Sequence, residues 1–172
     1  MSFSGVHHTG IIVRNLDRSI YFYHDVLGLE FSNEPSPWFE GDELAEGVGV
    51  PGARLRQVCL LAGNDTVELL EYSNRIGVDA PPPQNHLGAM HIALRVEDID
   101  AKKLELEAKG VTFLSEVMTV DEGVLAGWKW VYFLDPDGIT LELVQQRYYL
   151  KEERQQGIAD YLAHRPPLES LL

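Results

Sequence analysis

Two histidines and two glutamates stand at matched places in this chain: His8 and His91 each open an apolar run that reads as a strand, and Glu68 and Glu142 each lie inside one. In a strand, residues two apart share a face. Gly10 and Ile12 share the face of His8, with Ile11 and Val13 opposite, and Ala93 and Arg95 share that of His91, with Ile92, Leu94 and Val96 opposite. Thr66 and Leu70 flank Glu68 against Val67 and Leu69, while Thr140 and Val144 flank Glu142 against Leu141 and Leu143. Each time the aliphatic side suits a core and the polar residue looks away from it. A carboxylate in such a strand is costly to desolvate unless it is paired or bound to a cation. His8, Glu68, His91 and Glu142 are therefore expected to converge as ligands of one divalent ion. Imidazole with carboxylate suits Zn, Ni, Co, Fe(II) or Mn, and ligand type alone does not choose among them. A single His or Glu on an amphipathic strand is ordinarily a solvent-facing residue, and parity alone leaves that reading open beside the metal site.

The elements that must position these residues occur twice. HTGIIVRNLD (His8 to Asp17) overlies HIALRVEDID (His91 to Asp100), an internal repeat of large period. Each copy runs from an apolar strand through polar residues into a helical pattern. The spacing predicts helices over about Asp17–Leu27, with Ile20, Tyr23, Val26 and Leu27 on one face, and about Ile99–Lys109, with Ala101, Leu104 and Ala108. Gly28 and Gly110 suit the left-handed position that ends them. Strand-like runs follow: RLRQVCLL and TVELLEY in the first half, WKWVYFL and ITLELVQ in the second, turned at Gly63-Asn64 and Asp135-Pro136-Asp137-Gly138. The organisation expected is a first module over residues 1–72 with an insertion at 32–53 placed as a lid, a proline-rich connector at 73–89, a second module at 90–146, and a helical extension at 147–172 that packs on its own domain or a partner.

The chain has 172 residues, 45% of them hydrophobic, which is one ordinary domain or two tightly joined small ones. Its 14 Lys+Arg against 27 Asp+Glu give a formal charge of −13, which opposes binding to a phosphate backbone or an anionic membrane. One cysteine, Cys59, excludes an intrachain disulfide and reads as a small buried hydrophobe in a reducing cytoplasm. No leader and no run of the ~18 apolar residues a spanning helix needs is visible, so a soluble cytoplasmic protein is expected.

HTGIIVRNLDRSIYFYHDVLGL, HIALRVEDID and FLDPDGITLELVQ together resemble the vicinal oxygen chelate superfamily, the group of glyoxalase I and methylmalonyl-CoA epimerase, over about Val6 to Gln146. The resemblance implies an α+β fold of paired βαβββ modules forming an eight-stranded cup-shaped mixed sheet with helices on its convex face. It puts the family's metal ligands on His8, Glu68, His91 and Glu142, leaving His7 and Glu71, of the wrong parity, structural. It further implies a substrate with adjacent oxygens, a divalent metal (Zn, Ni, Co or Mn) acting as a Lewis acid that stabilises an enediolate, and a homodimer.

By the same resemblance Glu68 and Glu142 flank the substrate, one removing a proton and the other returning it, which is epimerisation of a small hydroxy-ketone of the keto-cyclitol type, such as 2-epi-5-epi-valiolone, or of an acyl-CoA. The alternatives are a lactoylglutathione lyase, an Fe(II) extradiol dioxygenase and a metal-free binding protein of the bleomycin-resistance kind. Against the lyase, Ile12 and Tyr72 stand where bacterial members look to place glutathione-contacting residues; methylmalonyl-CoA epimerases usually carry Gln at the place of Glu68. Candidates for orienting substrate are Arg95, Arg54, Arg56, Gln57, Trp128, Lys129 and Trp130, each weighed against a core or solvated role. His24, His86 and His164 read as surface residues.

Overall fold

A computed structural model of the chain describes residues 4–76, 82–146 and 151–167. Nine strands and four α-helices follow the order β1 (Thr9–Ile12), α1 (Leu16–Ile20), β2 (Glu30–Phe31), β3 (Phe39–Glu40), α2 (Asp42–Val48), β4 (Arg54–Ala62), β5 (Asp65–Tyr72), β6 (Ile92–Arg95), α3 (Ile99–Ala108), β7 (Met118–Thr119), β8 (Lys129–Leu134), β9 (Thr140–Gln145) and α4 (Lys151–His164). The strands form two mixed sheets, β1-β5-β4-β2 with β3 added on β4, and β6-β9-β8-β7. The α+β architecture of two repeated modules stands, with a refinement: among the described residues the sheets are separately hydrogen-bonded, not one continuous eight-stranded sheet. A cleft of about 760 Å³, lined by Thr9 of β1 and by Met90 to Val96 along β6, lies between these two edge strands.

The repeat governs local structure closely. Asn15 caps α1 by accepting from the Arg18 N–H, and Asp98 at the matching place caps α3 by accepting from the Ala101 N–H. Gly28 and Gly110 both have φ of 86°, the left-handed conformation a side chain would strain. Beyond Ile20 the first helix continues as a π-helical stretch, Tyr21–Val26, so one residue more than an α-helix fits into the turn. It still buries Phe22, Tyr23 and Val26. The second helix departs from expectation. α3 buries Ile99, Lys103 and Leu106, leaving Leu104 69% exposed. The face is thus i, i+4, i+7 from Ile99, and Lys103 takes a core-edge place because its ammonium reaches Glu107 at 2.6 Å and Glu116 at 3.3 Å.

One core joins the inward faces of both sheets and helices, including Val13, Leu16, Val58, Leu60 and Leu69 from the first half and Ile99, Leu106, Val131, Leu141 and Leu143 from the second. A polar clasp also crosses between halves. Asp137, in the turn between β8 and β9, accepts from the Arg14 backbone N–H at 2.8 Å and pairs with the Arg14 and Arg18 guanidinium groups. Beside it the buried Tyr23 hydroxyl donates to Asp135 at 3.2 Å. Asp135 is held in turn by the N–H groups of Asp137 and Ile139, both at 2.8 Å.

The 32–53 insertion is structured: β3 extends the edge of the first sheet and α2 follows it. Of the connector, residues 73–76 and 82–89 are described, and they contain no helix or strand. The C-terminal extension contains α4, whose described side chains, Ile158, Tyr161 and Leu162 among them, are exposed; residues 147–150 and 168–172 lie outside the described set. No described helix is long and apolar enough to cross a membrane.

Candidate active site

Strand register places the four polar residues identically in the two halves. β1 runs parallel to β5 with Gly10 opposite Glu68, and β6 runs parallel to β9 with Ala93 opposite Glu142. Two residues before each of those partners, at the strand entrance, stands a histidine. His8 Nε2 thereby comes within 3.4 Å of Glu68 Oε2, and His91 Nε2 within 3.2 Å of Glu142 Oε2. The opposite parity carries the core, as β5 buries Val67 and Leu69 and β9 buries Leu141 and Leu143.

These separations suit a shared cation. Charge-assisted N–H···O bonds are about 2.7–2.9 Å long, whereas two ligands each ~2.1 Å from one ion subtend about 3.0–3.4 Å. His91 Nδ1 lies 3.2 Å from Gln84 Oε1; in the tautomer protonated at Nδ1, Nε2 turns a lone pair toward the Glu142 carboxylate. Two acceptors then face each other, an arrangement relieved by a cation between them or by a second ring proton. His8 Nδ1 meets the Nδ1 of its off-parity neighbour His7 at 2.8 Å. The donor types and spacing of each pair fit two ligand positions of a divalent ion. The four do not gather as one set: among the described residues no three His, Cys, Asp or Glu lie close enough to share an ion. The physical reason is that β1 and β6 edge separate sheets.

Burial raises the Glu142 carboxyl above the ordinary glutamate value, with His91 pulling it back. Across β8, Tyr132 stands opposite Glu142 in register, and its ring meets the His91 ring at 5.2 Å and the Trp130 ring at 5.2 Å. Burial and the Glu142 charge both raise the Tyr132 hydroxyl, burial being the larger cause. In the first half the register position opposite Glu68 belongs to Cys59, half-buried rather than buried, its thiol raised by burial and then by Glu68. Cys59 Sγ is 3.7 Å from the Oε1 of Gln57, which shares its face.

The substrate candidates divide by face. Gln57, Arg95 and Trp130 share the parity of the His–Glu pairs. Arg56 does not: its guanidinium bonds Glu71 at 2.7 Å and Asp17 of α1 at 2.9 Å, on the helix side. Glu71 also accepts the Leu16 N–H at 2.7 Å, a structural role. Arg54 has the parity of Arg56; it pairs with Glu40 at 3.3 Å, and Trp38 stacks over both guanidinium groups. Lys129 faces α3, its ammonium 2.5 Å from Asp100. Arg56 and Lys129 thus serve α1 and α3, and Arg54 serves the insertion. Trp128 is half-buried just before β8, and its buried indole Nε1 has no hydrogen-bond partner among the described residues. His24 is half-buried rather than superficial, its Nδ1 2.7 Å from the Leu29 carbonyl; His86 and His164 are exposed. Tyr132 and Gln84 escape the sequence reading. Tyr132 shares parity with Trp130, a signal present in the sequence, while Gln84 lies in the connector, where no periodicity points to it.

The chain belongs to the Glyoxalase/Bleomycin resistance protein/Dioxygenase superfamily, whose family model matches residues 5–143. Within that class it is 32% identical over 142 residues to a 2-epi-5-epi-valiolone epimerase from Actinomyces sp, spanning 81% of this chain and 78% of that protein. It is 30% identical over 148 residues to the human mitochondrial methylmalonyl-CoA epimerase, spanning 81% of this chain and 73% of the relative. A glyoxalase family protein from Bacillus cereus has the same fold, with a TM-score of 0.72 at 21% identity over 86% of this chain and 97% of its own.

Proposed function

We propose that this chain is a divalent-metal-dependent epimerase or isomerase that moves a proton on the carbon beside a carbonyl, acting on a small hydroxy-ketone of the keto-cyclitol type or on an acyl-CoA. The observation that carries this reading is the repeated pair, His8 with Glu68 and His91 with Glu142, set in the same register in each half. Similarity to two relatives named as epimerases supports it. His8, Glu68, His91 and Glu142 would hold the ion, Zn, Ni, Co or Mn. When bound, it supplies a Lewis acid for adjacent substrate oxygens.

The chain's own residues supply the rest. Glu68 and Glu142 are the carboxylates available on these faces: one removes the proton, and the other returns it from the opposite side, inverting the carbon. Gln57, Arg95 and Trp130 orient the substrate. Bringing the two faces together is the work of a homodimer built along the edges of β1 and β6, each at the end of its own sheet.

The test is solvent exchange. In deuterated water with the metal-loaded protein, deuterium enters the carbon beside the carbonyl of a competent substrate, and Glu68→Gln and Glu142→Gln each abolish it. Oxygen consumption without exchange would replace this reading by a dioxygenase; tight, chelator-insensitive binding without turnover would replace it by a binding protein.

A further inference from the structure

The two candidate faces are alike in ligands and unlike in what stands beside them. Opposite the glutamate, the first half carries Cys59 with Gln57 next on the same face, while the second half carries Tyr132 with Trp130. The Trp130 and Tyr132 rings lie 5.2 Å apart, tilted by 59°, and Tyr132 meets His91 edge-on at 74°. Trp130 and Tyr132, both half-buried, thus run along one face outward from the exposed His91. Charge on these faces is sparse. Among the described strand residues that share parity with the pairs, Arg95 is the one cation: Arg56 and Lys129 turn to Asp17 and Asp100 on the helices, and Arg54, of the parity of Arg56, pairs with Glu40 of the insertion.

We infer that Trp130 and Tyr132 form a stacking platform for a saturated six-membered ring, and that the substrate is an uncharged cyclic polyhydroxy ketone rather than an acyl-CoA. This rests on the proposed function and narrows it. A saturated ring bearing equatorial hydroxyls offers an apolar C–H face to an aromatic wall and a polar rim to groups such as Gln57 and a bound ion. A CoA ester carries several phosphate charges that call for clustered Lys and Arg. The single cation among the described strand residues on the site faces, and a chain charge of −13, oppose it.

The experiment is calorimetric titration of the full-length, Co-loaded protein with a keto-inositol, dihydroxyacetone and methylmalonyl-CoA, for the wild type, Trp130→Leu and Trp130→Phe. The keto-inositol should bind the wild type, lose at least tenfold in affinity in Trp130→Leu and recover to within about threefold in Trp130→Phe, which shows that the leucine variant's loss is not misfolding. Dihydroxyacetone, too small to span the platform, should be indifferent to both. Equal keto-inositol affinity in wild type and Trp130→Leu, no keto-inositol binding, or tighter binding of methylmalonyl-CoA overturns the platform. Metal content of the same samples separates the two claims: loaded protein with an indifferent Trp130 sinks only the platform, and protein that retains no cobalt sinks the proposed function with it.

Discussion

His91 turns Nε2 toward the Glu142 carboxylate at 3.2 Å while its Nδ1 rests on Gln84 at 3.2 Å. A residue of the connector is therefore placed to orient a strand-entrance histidine by its second ring nitrogen. Groups that orient a metal-binding imidazole this way commonly change affinity by 10–100-fold when removed.

Gln84→Leu should weaken Zn binding by at least tenfold without lowering the urea midpoint. Competition against a chromophoric chelator reads the first quantity and equilibrium denaturation the second. Unchanged Zn affinity would remove Gln84 from the site.

Asp137 is 5% exposed and binds Arg14 and Arg18 across the two halves. Breaking a fully buried pair costs about 3–5 kcal/mol; with Arg18 nearly half exposed, solvent screening reduces the expected loss for Asp137→Ala to about 2 kcal/mol. Urea unfolding measures this, and Asp137→Asn, which retains an acceptor for the Arg14 N–H, should lose less.

Asp135 gives a pH signature. Burial raises its carboxyl above the ordinary aspartate value, with the Ile139 and Asp137 N–H groups and the Tyr23 hydroxyl pulling it back. A raised carboxyl binds more protons folded than unfolded, so its contribution to stability falls as pH climbs from about 3.9 through the folded value. Asp135→Asn keeps the acceptor oxygen and loses that charge. Relative to wild type, the variant should gain stability steadily as pH rises through this window, read by urea midpoints at several pH values. A difference independent of pH would show that Asp135 titrates normally.

Much of this was legible in the chain. His8, Glu68, His91 and Glu142 could be paired because strand parity is strict and the repeat supplies each residue with a twin. The capping of α1 and α3 and the turns at Gly28 and Gly110 follow from local chemistry that needs no tertiary context. Arg56 and Lys129 have the core-facing parity, and accordingly turn to Asp17 and Asp100 on the helices. Leu104 lies off the buried face because Lys103, by hydrogen-bonding Glu107, occupies a face that a charge would ordinarily leave. The π-helical turn at Tyr21–Val26 and the reach of Gln84 depend on packing between distant segments, which no window of sequence contains.

Metal content tests the account at its centre. Protein purified without added metal should carry about one Zn, Ni, Co or Mn per chain by mass spectrometry, and Glu68→Ala and Glu142→Ala should each lose most of it. Metal unaffected by either substitution, or wild-type protein that takes up none even after reconstitution, would contradict the account.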